Sequence, residues 1–301
     1  MTPLADRALR TLFALAGRAP WLLTALRPAA VRLTPPLSPA LRRATRANAR
    51  RLHGAPVSRH ACVPVKAPIE PIYPVDFPRQ VVASFYDFVR DVARAGHESA
   101  EQLRARVVAV EGEPAYLALR AKGGGAVLAT AHMGSFEVGL AALRNVEPDV
   151  HVVFKRDAYD GFEHLRRRVR RTLGVHEAAI DDGWPALFAL RDALHHNGVV
   201  VMQADRAMPG QKSAVVPFLG GHLRLPLGPL KLAQAAGSPV VPVFTVREGP
   251  GRFRVCLEPA IDPSAADALE QLAATLARFV ARYPTQWLVL HEAFVEDERR
   301  G

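Results

Sequence analysis

The sequence predicts an α/β fold, in which a mixed, largely parallel sheet is covered by helices on both faces and preceded by an N-terminal helical segment that contacts a membrane. Apolar runs typical of buried strands alternate with helical stretches from residue 80 onwards. All of the excess positive charge lies in the first 60 residues. The 301 residues, 49% hydrophobic and 23% charged, suffice for a large core and exclude a disordered or low-complexity chain.

The N-terminal 60 residues contain eleven arginines, no lysine and one acid, whereas cationic and anionic residues cancel over the rest of the chain. A helix over residues 4–18 places arginines on one side and apolar residues opposite, as interfacial helices do. The alternative is a helix packed on its own domain. No apolar run approaches the roughly 20 residues of a membrane span, so we expect peripheral contact with anionic lipids.

Nucleic-acid binding is disfavoured, because a nucleic-acid-binding domain usually spreads its basic residues over the folded surface. Twelve of the 25 prolines fall in the first 78 residues, five of them between Pro64 and Pro78, which indicates a connecting segment. We therefore divide the chain into residues 1–79, an arginine-rich membrane-associating segment with a Pro-rich connection, and residues 80–301, the α/β domain.

The predicted elements of the α/β domain begin with an amphipathic helix over residues 80–95. Strands follow at residues 126–132, 151–156, 198–205, 239–246, 252–258 and 287–294. Helices between them cover residues 137–144, 161–173, 184–195, 227–236 and 265–283. Ligands of such sheets bind where the strands end, so residues just after the strands are the candidate site.

The first of these strands ends in His132, and Glu137 follows five residues later. Five residues separate two side chains by about 140° on a helix, so the pair can meet only across a strand-to-helix junction. With Ser135 at the helix N-cap, Glu137 lies in the first turn and can bend back to the imidazole. A carboxylate placed there would leave one ring nitrogen free to take a proton, and we expect Gly134 and Ser135 to lie against the substrate.

The motif ATAHMGSFEVG at residues 129–139 resembles the signature of the lysophospholipid acyltransferase superfamily, with Glu137 in place of the usual aspartate. The ordered blocks at residues 152–156, 201–244 and 283–294 resemble its lipid A biosynthesis branch, the lauroyl and myristoyl transferases. The resemblance covers most of the chain.

This resemblance implies an enzyme that moves a fatty acyl chain from acyl carrier protein or coenzyme A to a hydroxyl of a lipid acceptor. The acceptor would be a lipid A precursor-like glycolipid or a lysophospholipid, at the cytoplasmic face of the bacterial inner membrane. His132 would be the general base and Glu137 its orienter, with the thioester as co-substrate and with no covalent intermediate, metal ion or permanently bound cofactor.

Two arginines follow strands whose ends lie at the same sheet edge as His132, namely Arg156 and Arg206. Guanidinium groups suit the phosphates of a phosphopantetheine arm or of a lipid. From the matching blocks we expect both to bind substrate, with Asp205 as their partner. The alternative is that each forms a salt bridge that organises its loop.

The arginine-rich stretch at residues 166–171 is either a solvated helix face or a docking surface for acyl carrier protein or anionic headgroups. No metal site is predicted, since neither His195-His196 nor His291-Glu292 has ligand spacing. The alternative function, from another class, is a membrane-associated protein of the same fold that binds lipid without catalysis.

Overall fold

A computed structural model describes residues 18–53, 75–156 and 160–295, together with Arg7, Thr11, Leu12 and Ala14. Most of the helix predicted over residues 4–18 and most of the Pro-rich connection lie outside the described residues. The α-helices in chain order are α1 (Pro20–Leu37), α2 (Pro39–Leu52), α3 (Phe77–Ala95), α4 (Ala100–Arg104), α5 (Glu113–Arg120), α6 (Phe136–Leu143), α7 (Asp160–Leu173), α8 (Trp184–His195), α9 (Gly228–Ala236) and α10 (Ala268–Arg282).

The strands are β1 (Val107–Glu111), β2 (Ala126–Thr130), β3 (Val150–Phe154), β4 (His176–Ala179), β5 (Val199–Gln203), β6 (Ser213–Phe218), β7 (Gly221–Pro226), β8 (Val240–Gly249), β9 (Arg252–Leu257) and β10 (Phe294–Val295). Seven of them form one sheet in the order β1-β9-β8-β2-β5-β3-β4. All neighbours in it are parallel except β8 and β9. The other three form a small antiparallel sheet in the order β10-β7-β6. The predicted mixed, largely parallel sheet is confirmed.

Helices cover the large sheet on both faces, because alternate residues of its strands point to opposite sides. Val127 and Ala129 of β2 belong to the larger core cluster, which includes leucines of α8, α9 and α10. Leu128 belongs to a second cluster, with Val138 and Leu140 of α6. The central strands are therefore apolar throughout, as expected for parallel strands buried on both faces.

The N-terminal helices α1 and α2 pack against the α/β body. Leu23 is buried with residues of α3 and α7, and Ala49 and Leu52 are buried in the larger core cluster. The buried amide of Asn48 donates to the carbonyl of His291 (2.8 Å) and accepts from the backbone N–H of Ala293 (3.0 Å). Helix α2 thereby fixes the C-terminal segment that borders the candidate site.

Several elements differ from the sequence prediction. The predicted strand at residues 287–294 is wrong: only Phe294–Val295 forms a strand, while Trp287 and Val289 are buried in the core from an irregular segment. The hairpin of β6 and β7 and the edge strands β1 and β4 were not predicted. Among the described residues no helix combines the length and apolar character that a bilayer crossing requires.

Candidate active site

His132 lies just beyond the carboxyl end of β2, beside the carboxyl end of β5. The two strands are parallel neighbours, with Thr130 paired to Gln203, and the backbone N–H of Ala204 donates to the carbonyl of Thr130 (2.7 Å). This register brings the residues after Thr130 level with those after Gln203. The sheet therefore places His132 opposite Asp205, although 73 positions separate them in sequence.

Asp205 is the carboxylate that holds the imidazole of His132. Its Oδ1 lies 2.7 Å from Nδ1 of His132, and its Oδ2 accepts from the backbone N–H of the same residue (3.1 Å). The indole Nε1–H of Trp287 also donates to Oδ2 (2.9 Å). Only 1% of the Asp205 side chain is exposed, so these three hydrogen bonds replace its hydration.

The segment after α10 supplies Trp287 and braces the loop that carries His132. The backbone N–H of Leu288 donates to the carbonyl of His132 (2.8 Å), and Met133 forms an isolated antiparallel bridge with Trp287. The irregular segment after α10 thus supports the imidazole of His132.

Arg206 fixes the tautomer of His132. Its Nη2 lies 3.1 Å from Nε2 of the imidazole. A guanidinium can only donate hydrogen bonds, so Nε2 accepts and Nδ1 carries the proton that it donates to Asp205. The nitrogen with the available lone pair is therefore Nε2, which is the protonation state that a general base needs.

The pKa of Asp205 is strongly lowered. Burial alone raises it, but the charge and hydrogen bonds of His132, together with the bond from Trp287, outweigh burial and lower the pKa of Asp205 to about 2. The carboxylate is therefore ionised at neutral pH and stabilises the imidazolium that forms when His132 takes a proton.

Glu137 does not occupy the position that the sequence predicts for it. It lies in the first turn of α6, as expected, but its Oε1 accepts from Nε of Arg166 on α7 (3.0 Å). Its Oε2 is buried without a hydrogen-bond partner among the described residues. The predicted contact between Glu137 and the imidazole is therefore wrong. Nδ1 of His132 is hydrogen-bonded to Asp205, and its Nε2 is hydrogen-bonded to Arg206.

Gly134 and Ser135 form the turn between β2 and α6. Gly134 has φ +59°, and a Cβ there would lie 1.9 Å from the carbonyl oxygen of Thr245, so the turn accepts only glycine. Gly134 lines the cavity described below. Ser135 is fully buried at the N-cap of α6, its Oγ without a hydrogen-bond partner among the described residues.

The two predicted substrate-binding arginines border the same cavity in different ways. Arg206 contacts His132 directly, whereas Arg156 is half exposed and donates to Asp182 (2.9 Å). The predicted pairing of Asp205 with these arginines is wrong, because the hydrogen bonds of its carboxylate go to His132 and Trp287.

A cavity of about 730 Å³ opens at this edge of the sheet. His132, Arg156 and Arg206 line it beside many apolar side chains. Its apolar walls are formed by Phe85, Phe88, Phe162, Leu187, Leu190, Met202, Leu288 and Leu290. The site thus combines a base, several cationic side chains and an apolar wall, which suits an amphiphilic substrate.

His291 is a further titratable residue of this cavity. Burial lowers its pKa, and the positive charge of Arg206 lowers it further. The sequence suggested no place at this cavity for His291, for Trp287, which lies in the predicted strand at residues 287–294, or for Arg166, which belongs to the arginine-rich stretch at residues 166–171. The apolar composition of residues 287–294 does not indicate that this segment borders the cavity.

The described residues that could hold a metal ion lie away from this cavity. Asp149, His151 and His176 have ligand atoms within 4.8 Å of one another. They lie at the amino ends of β3 and β4, opposite the edge that carries His132.

Comparisons with known proteins identify the family of the chain. Residues 61–296 match the model of the bacterial lipid A biosynthesis acyltransferase family. The chain is 29% identical over 239 residues to a phosphatidylinositol mannoside acyltransferase of Mycolicibacterium smegmatis, covering 76% of each chain. It is also 29% identical over 182 residues to the enzyme of that name from Mycobacterium tuberculosis, covering 59% of this chain and 57% of the relative. The chain belongs to the bacterial lipid A biosynthesis acyltransferase family, whose members transfer acyl groups.

Proposed function

We propose that the protein is an O-acyltransferase that moves a fatty acyl chain from a thioester donor to a hydroxyl of a lipid acceptor. The observation that carries this proposal is the arrangement of His132, which faces the cavity while Asp205 holds its Nδ1 from behind. Asp205 takes the orienting role that the sequence pattern predicts for Glu137. Glu137 instead positions Arg166, whose side chain lines the cavity.

The proposed reaction is a direct transfer. Nε2 of His132 takes the proton of the acceptor hydroxyl while the hydroxyl oxygen attacks the thioester carbonyl. The tetrahedral intermediate then collapses, the C–S bond breaks, and the imidazolium returns the proton to the departing thiolate. The products are an ester and a free thiol, and the step requires no metal ion or bound cofactor.

Arg206 and Arg156 are proposed to hold phosphate groups of the substrates. Arg206 rests on Nε2 of His132, so it gives up this contact when the acceptor hydroxyl approaches the base. A phosphate of the donor's pantetheine arm or of the acceptor is a stronger partner for a guanidinium than a neutral imidazole. Acyl carrier protein and coenzyme A both provide such an arm, and the exposed arginines of α7 are a surface for the acidic carrier.

The proposed acceptor is a phosphate-bearing glycolipid at the cytoplasmic face of the bacterial inner membrane. The names of the relatives, which specify phosphatidylinositol mannoside, support a sugar hydroxyl as the acylated group. A lysophospholipid is the second acceptor class to test. The apolar cavity walls and the N-terminal arginines favour a substrate drawn from an anionic membrane surface.

The test is an acyl-transfer assay with labelled acyl-coenzyme A or acyl carrier protein and purified glycolipid or lysophospholipid. We expect His132→Ala to lose nearly all transfer while it still folds, as circular dichroism at the assay temperature would show. Exposed His97→Ala, outside the cavity, is the matched control and should retain full activity. Wild-type turnover in His132→Ala would refute the mechanism. Lipid binding without turnover by the wild type, with every donor, would favour the non-catalytic alternative.

Mass spectrometry of total lipids identifies the acceptor. Cells with the protein should contain one lipid class that carries an additional acyl chain, and cells that produce only His132→Ala should lack it. The mass of that chain gives the acyl length.

A further inference from the structure

Helix α8 has two apolar faces, although only one of them packs on the sheet. Leu190 and Leu194 are buried in the larger core cluster. On the outer side, 73% of Trp184, 43% of Leu187 and 53% of Phe188 are exposed. These three residues have the spacing of a single helix face, and we call them the α8 apolar surface.

Isolated exposed apolar residues are common, but contiguous ones mark interaction sites. The rings of Trp184 and Phe188 stack with centroids 6.2 Å apart. The guanidinium of Arg191, one turn further on, lies 5.5 Å from the centroid of the Phe188 ring. Aromatic rings beside an arginine are the composition of helices that lie at the boundary between acyl chains and headgroups.

The α8 apolar surface is continuous with the mouth of the active-site cavity. Leu187 belongs to the surface and also lines the cavity. Ile180, of which 39% is exposed, lines the cavity as well. Three exposed lysines line the same cavity, namely Lys155, Lys212 and Lys231. An apolar surface that adjoins a cavity lined by these cations matches a bilayer with anionic headgroups.

We propose that the α8 apolar surface docks on an anionic lipid bilayer, with Trp184 and Phe188 entering the acyl boundary. A lipid then passes from the membrane into the cavity along Leu187 without crossing water. This docking site is separate from the N-terminal segment, and it deepens the proposed function, on which it rests for the lipid substrate.

The three tryptophans allow a direct test, because Trp21 and Trp184 are exposed and Trp287 is buried. The full chain is mixed with vesicles of phosphatidylglycerol and phosphatidylcholine brominated on the acyl chains. We expect the emission of Trp21→Phe, which retains Trp184, to be quenched and shifted to shorter wavelength. The double variant Trp21→Phe/Trp184→Phe reports Trp287 alone and gives the baseline. Quenching of Trp21→Phe no greater than this baseline would overturn the proposal.

A second measurement tests the affinity that the surface provides. Leu187→Ser combined with Phe188→Ser should reduce partitioning onto these vesicles about tenfold or more, because each side chain loses its burial in the acyl region. Leu117→Ser on α5 is the matched control, since Leu117 is also 43% exposed, lies outside the cavity and should leave partitioning unchanged. Unchanged partitioning of the α8 variant would also overturn the proposal.

Both measurements use binding rather than catalysis as the readout, and they can be made in the His132→Ala background. If docking is observed but the wild type transfers no acyl group, the proposed function fails while the docking site stands. If transfer is observed without docking by α8, the docking site fails while the proposed function stands.

Discussion

The carboxylate of Asp205 lies 2.7 Å from Nδ1 of His132. His132 follows β2 and Asp205 follows β5, and these two strands are neighbours in the sheet. The pair is therefore positioned by the backbone register of β2 and β5. Since Trp287 and the backbone N–H of His132 also hold the carboxylate, the imidazole is oriented before any substrate binds. Such preorganisation is what an efficient general base requires.

We expect Asp205→Asn to lower kcat by about 10²–10⁴-fold, because an amide cannot stabilise the imidazolium and can favour the wrong tautomer of His132. Initial rates at saturating substrate measure this effect. Glu137→Gln is the matched control, since it also turns a buried carboxylate into an amide, but one that contacts Arg166. A larger loss of kcat in Glu137→Gln than in Asp205→Asn would return the orienting role to Glu137.

The lowered pKa of Asp205 predicts a pH dependence of stability. A carboxyl whose pKa is about 2 when folded, against about 4 when unfolded, stabilises the protein above pH 4 and loses this contribution as the pH falls towards 2. The stability advantage of the wild type over Asp205→Asn should therefore be about 1 kcal/mol smaller at pH 3 than at pH 6. Urea unfolding of both proteins between pH 6 and pH 3 measures it, and a difference that does not change with pH would contradict the expectation.

The sequence pattern was sufficient to predict the central strands, because parallel strands buried on both faces are apolar throughout. It was also sufficient to predict that His132 follows the end of one of them. It was insufficient for the partner of His132. Glu137 is near in sequence and suggested a local contact, whereas Asp205 reaches the imidazole only because β2 and β5 are neighbours. Strand order depends on long-range packing, which local periodicity does not specify.

The apolar run at residues 287–294 illustrates the same limit. Its composition is typical of a buried strand, but Trp287 and Val289 are buried by packing against the core. Hydrogen bonds from this segment go to the loop of His132 and to Asn48 of α2. The apolar composition correctly predicted that the segment is buried, but it wrongly predicted that the segment pairs as a strand. Composition does not distinguish the two, because backbone hydrogen bonds can be made either in a sheet or with a neighbouring loop and side chain.

Gly134→Ala should destabilise the protein by about 2–5 kcal/mol, because the new Cβ would overlap the carbonyl oxygen of Thr245 and the backbone has a positive φ. Thermal or urea unfolding measures the loss. Gly123→Ala is the matched control, since Gly123 has φ +79° but no atom within 4 Å of the point where a Cβ would lie, and should cost only about 1–2 kcal/mol. Equal losses in the two variants would show that the close approach to Thr245 contributes nothing.

Asp91 joins α3 to the large sheet through two arginines. Its Oδ1 accepts from Arg106 at 2.5 Å and its Oδ2 accepts from Arg247, and both Asp91 and Arg106 are buried. Asp91→Ala removes the carboxylate of Arg247 and one of the two carboxylates that pair with Arg106, the other being Glu98. We expect a loss of about 3 kcal/mol in the free energy of unfolding. Asp192→Ala breaks the exposed pair with Arg191 and should cost less than about 1 kcal/mol. Because α3 also supplies Phe85 and Phe88 to the cavity, Asp91→Ala should weaken substrate binding as well, measured as a raised KM at a temperature where the variant remains folded.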